Sequence, residues 1–290
     1  MTPDDYCQEK AASSGSSFYY SFLFLPPAQR KAITALYAFC REVDDIVDEC
    51  REPHIARVKL QWWRDSLRAT FAGEPQHPVQ QALAEPVKTF ELPLEHFLEI
   101  IDGMEMDLDQ NRYATFDDLS LYCYRAASVV GLLAARIFGY HDPAVLDYAE
   151  NLGMAFQLTN IIRDIKEDAA RDRIYIPQQE LQQFGVTESD ILESRINEAM
   201  ASLLKFQSQR AKSYYEKAFS FLPEQDRYSQ RSGLIMAAIY LNTLQVIEKD
   251  STRVLDGRIS LTPIKKLWLA WTTARSEKRR HKKYLQTCRT

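Results

Sequence analysis

Apolar residues recur along this chain at intervals of three and four positions, the spacing that places them on one face of an α-helix. Pro26-Pro27 predicts the start of a helix that runs toward Cys50. No segment has the sustained alternation of a strand, so the pattern predicts one all-α domain over residues 1–290, with a core too large for a simple four-helix bundle. The other predicted helices cover 54–72 (with Trp62 and Trp63 both in the core), 79–90, Asp117-Asp118 to Gly139, 142–172 (the longest), 188–220, 224–250 and 262–285.

Composition narrows the class of protein. With 46% hydrophobic residues the chain can bury a large core, and its net charge of −4 gives no reason to expect a nucleic-acid partner. Five cysteines without a CxxC pair predict reduced thiols and a cytoplasmic location. The N-terminus lacks the regions of a signal peptide, and the longest apolar runs, at 22–25 and 234–241, are shorter than the about 20 residues that span a bilayer. We expect a protein that is soluble or at most peripheral at a membrane.

Residues 41–49, REVDDIVDE, place five acidic side chains in nine positions at the end of an otherwise apolar helix. In this first acidic segment, Asp44 and Asp48 have the i, i+4 spacing at which like charges on a helix repel each other. A carboxylate carried into an apolar setting costs still more free energy unless a positive group meets it. This helix face is therefore either exposed to water or the place of a cation.

A second acidic segment, QLTNIIRDIKED (157–168), repeats the pattern. Asn160, Asp164 and Asp168 recur every four positions and drift by only about 40° per step on a helix. Gln157 and Arg163 border this stripe, and the opposite face is apolar. The second segment therefore carries two carboxylates with the same spacing as the first.

Two such segments facing each other would form a cage of oxygen ligands. This cage suits Mg²⁺, with Mn²⁺ as the alternative, because Mg²⁺ prefers carboxylates, keeps several waters and is completed by substrate phosphate oxygens. No nearby His or paired Cys favours zinc. Arg41 and Arg163 lie close to the two segments and can balance phosphate charge. A single Asp pair is usually a solvated face, but two pairs, each flanked by Arg, favour a metal–diphosphate site.

The two segments also resemble known motifs. DDIVDE (44–49) and QLTNIIRDIKEDAARDRIYIP (157–177) resemble the paired aspartate-rich motifs of the squalene and phytoene synthases, and YCYRAASVVG (122–131) resembles that family's other signature. The N-terminal SGSSFYYSFLFLPPAQRKAITALYAFCREVDD and EIIDGMEMDL (99–108) are most similar to bacterial presqualene diphosphate synthases of the hopanoid route. The resemblance, which covers nearly the whole chain, implies an isoprenoid-synthase-type helical bundle around a central apolar cavity.

The chain departs from the family's pattern at three positions. Asp172 stands where the family usually has Gly before the Arg of its R-x-Y-x-P turn, and Ala126 and Ser128 stand where the signature more often has Val and Gly. None of the three is an implied ligand. We expect Asp172 to alter how the loop after the second segment closes.

The resemblance implies a Mg²⁺-dependent, head-to-head condensation of two farnesyl diphosphates to presqualene diphosphate, a cyclopropylcarbinyl diphosphate, with release of diphosphate. It implies catalytic roles for Tyr37 and Arg41 at the leaving diphosphate and for Tyr122 in removing the proton. The implied metal ligands are Asp44, Asp48, Asn160, Asp164 and Asp168. The implied substrate contacts are Ser17, Gln157, Arg163, Tyr240 and Arg258.

Four alternatives remain open on the sequence. A phytoene synthase would join two geranylgeranyl diphosphates with the same motifs and a deeper cavity, and a full squalene synthase is also compatible. A chain-elongating prenyl transferase fits Asp44-Asp45-x-x-Asp48 but not the second segment. The non-enzyme alternative is a helical protein that binds isoprenoid diphosphates without turnover. We expect no NADPH, because no nucleotide-binding glycine pattern is present.

The basic C-terminal tail, 274–290, is either a solvated helix end or a region attracted to an anionic membrane surface. Because the implied product is very apolar, we expect peripheral attachment at the inner face of the membrane. The expected partners are the farnesyl diphosphate substrate and a downstream squalene-forming enzyme.

Overall fold

The computed structural model describes residues 1–13, 18–50 and 52–288. Over these ranges the chain is all-α, as predicted, and one parallel bridge between Arg112 and Ile174 is their only strand-like pairing. The α-helices of the described ranges are α1 (Pro3–Ser13), α2 (Phe18–Phe22), α3 (Pro27–Glu49), α4 (Pro53–Phe71), α5 (Pro78–Thr89), α6 (Leu94–Asp109), α7 (Phe116–Cys123), α8 (Val129–Phe138), α9 (Ala144–Arg163), α10 (Ile165–Ala169), α11 (Gln178–Phe184), α12 (Glu188–Leu192), α13 (Glu198–Phe221), α14 (Arg231–Lys249) and α15 (Pro263–Thr287).

Short turns of other helix types connect several of these elements. A π-helical turn, Tyr124–Ser128, joins α7 to α8, and 3₁₀ turns at Glu224–Asp226 and Ser251–Leu255 flank α14. α7 begins at Phe116 rather than at the predicted Asp117-Asp118, because Thr115 is its cap. The Thr115 hydroxyl accepts from the Asp118 N–H, and the Asp118 carboxylate accepts from the Thr115 N–H.

Two predicted helices are broken. The segment 142–172 is divided at Asp164, whose φ of −103° and ψ of 11° are not helical, and 188–220 is divided into α12 and α13. Asn197 caps α13 through its side chain, which accepts from the Met200 N–H. The longest helix of the described ranges is therefore α15, with 25 residues.

The tryptophan pair on α4 also differs from the prediction. Trp63 is buried against Phe39, whereas Trp62 is 45% exposed. Adjacent residues on a helix point about 100° apart, so one core face cannot bury both indoles.

α9 runs through the centre of the larger core cluster, packed along α13 and against α8 and the π-helical turn. Its approach to that turn is very close at Gly153, where a Cβ would lie 2.5 Å from Ser128 Cα. A second core cluster is formed by α3 to α6 with one side of α8. These contacts fix α3 and α9, the carriers of the two acidic segments, relative to α8.

One helical stretch, Phe116–Phe138, is long and apolar enough to cross a membrane by length and composition, with a mean hydropathy of 1.3. Half of it is buried against other helices, including α6 and α9. Interior helices of globular proteins pass the same test, so its apolar character is accounted for by its packing.

Candidate active site

The first acidic segment places its functional side chains on one face of α3. Tyr37, Arg41, Asp44 and Asp48 follow one another at intervals of four and three residues, and all four line one cavity. The opposite face, which includes Val43, is buried in the core. The amphipathic pattern of α3 therefore aims this polar stripe into the cavity.

The second acidic segment lines the same cavity with Gln157, Asn160, Arg163, Asp164 and Asp168. The helix is interrupted at Asp164, so the prediction of a continuous helix here is wrong. The four-residue spacing nevertheless persists, because the Asp164 N–H donates to the Asn160 carbonyl (2.8 Å) and the Asp168 N–H donates to the Asp164 carbonyl (2.9 Å). The side chains thus stay on the cavity side of the break.

The two acidic segments meet across this cavity, which has a volume of about 860 Å³. Arg171 and Arg173, in the turn after α10, donate to the two oxygens of the Asp48 carboxylate on α3, at 2.9 and 3.0 Å. The structure therefore brings together segments that lie more than a hundred positions apart in the chain. The roles of their residues stay predictions.

Arginines also neutralise other carboxylates at the cavity wall. Arg41 contacts Asp44 at 2.5 Å and also contacts Asp45. Asp164 accepts from Arg163 Nε at 2.7 Å, and Arg258 Nε lies 3.2 Å from the same carboxylate. Within the described ranges, Asp168 has neither a side-chain hydrogen bond nor an ion pair.

The crowded carboxylates have raised pKa values. Burial, reinforced by Asp48, raises the pKa of Asp44 to about 6, and burial raises the pKa of Asp107 to about 6. Burial and then the charge of Asp164 raise the pKa of Asp168 to about 8. At neutral pH Asp168 therefore favours either a proton or a nearby cation, whereas Asp44 and Asp107 are mostly ionised.

The donor set fits Mg²⁺ held together with a phosphate-bearing ligand. Within the described part of the chain, no three acidic, His or Cys side chains are arranged to hold an ion by themselves. Mg²⁺ does not need such a cage, because it is usually held by one or two carboxylates, waters and substrate phosphates. Asn160 Oδ1 is buried without a hydrogen-bond partner among the described residues, which leaves a hard oxygen ligand free next to the Asp stripe. Asp44, Asp48, Asn160, Asp164 and Asp168 are the residues that would hold the metal.

Asp107 of α6 joins the wall beside Tyr122. The hydroxyls of Tyr122 and Tyr175 donate to the two oxygens of Asp107, at 3.1 and 2.8 Å, and their rings stack at 5.0 Å. Burial and the charge of Asp107 raise the pKa values of both phenols well above their usual range. Tyr122 is therefore a neutral hydrogen-bond donor, and its role in removing the proton stays a prediction.

A second cavity of about 190 Å³ extends from the polar one and is lined mainly by apolar side chains, many of them small residues of the π-helical turn and α8. Aromatic rings lie where the two cavities join. The ring centroid of Phe18 lies 5.7 Å from that of Tyr37 and 6.5 Å from that of Tyr240. The Tyr240 centroid lies 6.0 Å from the Arg163 guanidinium carbon. The central apolar cavity that the resemblance implies is thus this apolar arm. The residues that line both cavities are Phe18, Tyr37, Cys40, Ala126, Gln157 and Asn160.

The departure at Asp172 has a structural explanation. Its φ of +56° lies in the left-handed region that favours glycine, the residue expected there from the resemblance. Arg112 binds the Asp172 carboxylate at 2.7 Å and its backbone carbonyl at 2.5 Å. The effect of Asp172 on the loop is thus an additional ion pair with Arg112, which holds the turn that carries Arg171 and Arg173.

All implied site residues within the described ranges line the polar cavity, and Ser17 lies outside those ranges. Sequence reasoning missed six further wall residues with charged or phenolic side chains. Asp107 had a detectable signal, since it lies on the apolar face of α6 that carries Ile100 and Met104. The others, apart from Lys266, lie within the motif 157–177 that carries the resemblance, but no role was assigned to them. The missed residues are Asp107, Glu167, Arg171, Arg173, Tyr175 and the buried Lys266.

Comparison with known proteins places the chain in one family. The squalene/phytoene synthase family model matches residues 11–265. The chain is 36% identical over 285 residues to 15-cis-phytoene synthase from Synechocystis sp. (93% of this chain, 85% of the relative) and 35% identical over 279 residues to phytoene synthase from Arthrospira platensis (91% and 89%).

Solved structures show the same fold. Squalene synthase HpnC from Alicyclobacillus acidocaldarius has a TM-score of 0.76 at 29% identity, covering 89% of this chain and 95% of that one. A dehydrosqualene synthase in complex with a ligand has a TM-score of 0.82 at 26% identity, covering 98% and 97%. The all-helical, single-domain isoprenoid synthase fold that the resemblance implies is confirmed.

The chain belongs to the squalene/phytoene synthase family. It is a prenyltransferase of that type, whose reaction is the head-to-head condensation of prenyl diphosphates.

Proposed function

We propose that this protein joins two molecules of geranylgeranyl diphosphate head to head and carries them to phytoene, with Mg²⁺ and without a reductant. The observation that carries the choice of substrate is the similarity to phytoene synthases at 35–36% identity over more than nine-tenths of the chain. This moves the proposal from the fifteen-carbon substrate expected from the sequence to the twenty-carbon one.

The polar cavity is suited to binding the diphosphates. Breaking an allylic C–O bond sends an electron pair onto the departing diphosphate, and bound Mg²⁺ would stabilise that charge as a Lewis acid. Lys266 lines the same wall, where it is buried and has no ion pair among the described residues. Burial and, to a smaller extent, the charges of Arg163 and Arg258 lower its pKa. These three cations would attract the departing anion.

Phe18, Tyr37 and Tyr240 stand where an allylic cation would form, between the carboxylates and the apolar arm. Their rings present negative faces that favour a cation and exclude the water that would quench it. The apolar arm would take the hydrocarbon chain.

Closing the cyclopropane ring of the intermediate releases one diphosphate and one proton. Asp107 is the group of the described wall suited to accept that proton, because its pKa lies near 6 and it already accepts hydrogen bonds from Tyr122 and Tyr175. Tyr122 would pass the proton to Asp107 as a neutral relay. Formation of phytoene then releases the second diphosphate and a second proton, with no electrons required.

The second candidate is the condensation of two farnesyl diphosphates to presqualene diphosphate. The 29% identity to squalene synthase HpnC favours it, as do the sequence stretches 14–45 and 99–108. Its product would pass to an enzyme that removes the remaining diphosphate.

Incubating the purified protein with Mg²⁺ and each substrate, alone and together, tests both candidates without NADPH. Mass spectrometry is expected to find a C40 hydrocarbon from the twenty-carbon substrate. Presqualene diphosphate as the main product would favour the second candidate. Consumption of neither substrate, or chain elongation in place of head-to-head products, would exclude both.

A substitution in the apolar arm tests the preferred length of the prenyl substrate more directly. Ala134 of α8 lines it, and Ala134→Phe would shorten the space for hydrocarbon. We expect kcat/KM for geranylgeranyl diphosphate to fall by about tenfold or more relative to farnesyl diphosphate, since each buried methylene is worth about 0.8 kcal/mol. The ratio is its own control, because a general loss of folding lowers both values equally.

A further inference from the structure

The N-terminal half of α15 exposes an unusual set of large apolar side chains. Ile264 is 80% exposed, and the indoles of Trp268 and Trp271 are 54% and 51% exposed. With Leu267, these residues form what we call the α15 patch (Ile264, Leu267, Trp268 and Trp271). We propose that the α15 patch docks this enzyme onto an anionic lipid bilayer.

The helix geometry supports a planar partner. At about 100° per residue, the four residues of the patch lie on one face of α15, within about 50° of its midline. The face toward α14 is the opposite one and carries the buried residues Lys266, Leu269, Ala270 and Glu277. The patch is therefore an outward face that the described residues do not cover.

The same outward face becomes basic further along the helix. The basic stripe (Arg275, Lys278, Arg279 and Lys282) continues the line of the patch at intervals of three and four residues, and its side chains are exposed. The last 28 residues of the chain hold nine Lys and Arg but one Glu, and that Glu277 is buried and paired with Arg227. The rest of the chain has 27 basic and 39 acidic residues, so the positive charge is concentrated at this helix.

This combination fits a lipid surface with negative headgroups. Tryptophan favours the boundary between hydrocarbon and water, and basic side chains beside it are drawn to anionic headgroups. Cationic groups already lie over both indoles: Lys265 Nζ is 4.7 Å from the Trp268 ring centroid, and the Arg275 guanidinium carbon is 5.1 Å from that of Trp271. The basic tail expected from the sequence at 274–290 therefore acts together with a patch that precedes it.

The helix that carries the patch also borders the polar cavity with its opposite face. Residues 258–261 and Lys266, at and just before the start of α15, line that cavity. If the proposed function holds, a bilayer on the patch would lie near the site that forms the very apolar product. Docking itself does not depend on the reaction.

The test uses the full chain and vesicles of phosphatidylcholine alone or mixed with an equal part of phosphatidylglycerol. The protein is expected to sediment with the mixed vesicles. The double variant Trp268→Ser/Trp271→Ser is expected to lose about tenfold or more in partitioning, because it removes most of the apolar area of the patch. Neither indole lines a described cavity, so its melting temperature and lipid-free turnover are expected to match those of the wild type.

Trp62→Ser is the matched control, because Trp62 is 45% exposed on α4, away from the basic stripe. It is expected to partition like the wild type. Lys278→Gln/Lys282→Gln is expected to weaken binding to mixed vesicles by about fivefold per charge at low salt, with no effect on phosphatidylcholine vesicles.

Three results would overturn the proposal. The first is unchanged partitioning of the double tryptophan variant, and the second is wild-type binding that does not increase with phosphatidylglycerol. The third is a wild-type dimer in the absence of lipid that the double variant dissociates, because the patch would then be covered by a second copy of the chain.

Discussion

The two acidic segments have the same carboxylate spacing but different surroundings. On α3 the helix is regular, and both carboxylates have arginine partners: Asp44 pairs with Arg41, and Asp48 pairs with Arg171 and Arg173. Between α9 and α10 the helix breaks at Asp164, and Asp168 is left without a partner among the described residues.

The two walls of the cavity therefore differ in how far their carboxylates are paired with arginine. On the α3 wall both carboxylates are paired with arginine, although burial and the charge of Asp48 still raise the pKa of Asp44 to about 6. The α9–α10 wall keeps one acid, Asp168, without an ion pair among the described residues. Burial and the charge of Asp164 raise its pKa to about 8, and the more distant charges of Arg173 and Arg171 offset this only in part. A cation between the walls would therefore interact most favourably with the α9–α10 wall.

The largest expected effect comes from removing one carboxylate from each wall. Asp44→Asn and Asp164→Asn are each expected to lower turnover by about a thousandfold, because each removes negative charge that holds Mg²⁺ against the diphosphate. Single-turnover product formation measures this. Glu49→Gln, an exposed change on the same helix as Asp44, is expected to leave turnover unchanged. If both Asn variants bound substrate less tightly but turned over at the normal rate, the site would only bind the metal–diphosphate complex.

The next effect concerns Asp107, which lies between the two walls. Asp107→Asn is expected to lower kcat by about a hundredfold or more, a common loss when a general base is removed. Tyr122→Phe is expected to lose less, since Tyr175 still contacts the carboxylate. The matched control is Tyr113→Phe, because Tyr113 is a buried ring of the same cluster whose hydroxyl has no hydrogen-bond partner among the described residues. Equal losses in the two tyrosine variants would indicate a packing role for Tyr122.

A smaller effect is the pH dependence of Mg²⁺ binding. At pH 6, Asp168, with a pKa of about 8, is almost fully protonated, and Asp44, with a pKa of about 6, is about half protonated, so the metal must displace these protons. The apparent affinity for Mg²⁺ is therefore expected to rise by about tenfold or more between pH 6 and pH 8. Titrating Mg²⁺ against the melting temperature at both pH values measures it. A flat profile would mean that these groups are already ionised.

The smallest effect is on the stability of the metal-free protein. A carboxyl group whose pKa is raised by folding stabilises the folded state at pH values below its unfolded pKa. This stabilisation is lost as the pH rises from the unfolded pKa to the folded one, which for Asp168 is the interval from about 4 to about 8. At pH 8, Asp168→Asn is expected to raise the melting temperature by about 2 °C or more. Asp48→Asn is expected to lower it by a similar amount, because Arg171 and Arg173 lose their partner. The same direction of change in both variants would contradict the difference between the walls.

Much of the fold was readable from local pattern. The limits of α3, the end of α8 at Gly139 and the polar stripe from Tyr37 to Asp48 follow from residues within a few helical turns of each other. The exceptions are equally physical. The break at Asp164 leaves the hydrophobic periodicity intact, so no spacing rule reveals it, and Trp62 is exposed because α4 can bury only one of two adjacent indoles.

What the sequence determined by itself was the helical class, the two oxygen-rich stripes and the family that they resemble. Tertiary structure alone decided which arginine neutralises which aspartate, since Arg171 and Arg173 reach Asp48 across more than 120 positions. It also decided that Asp168 stays unpaired, that Asp107 joins the site and that the α15 patch faces outward. The reason is that periodicity encodes contacts within a helix, whereas the pairing and burial of charges depend on how separate helices pack.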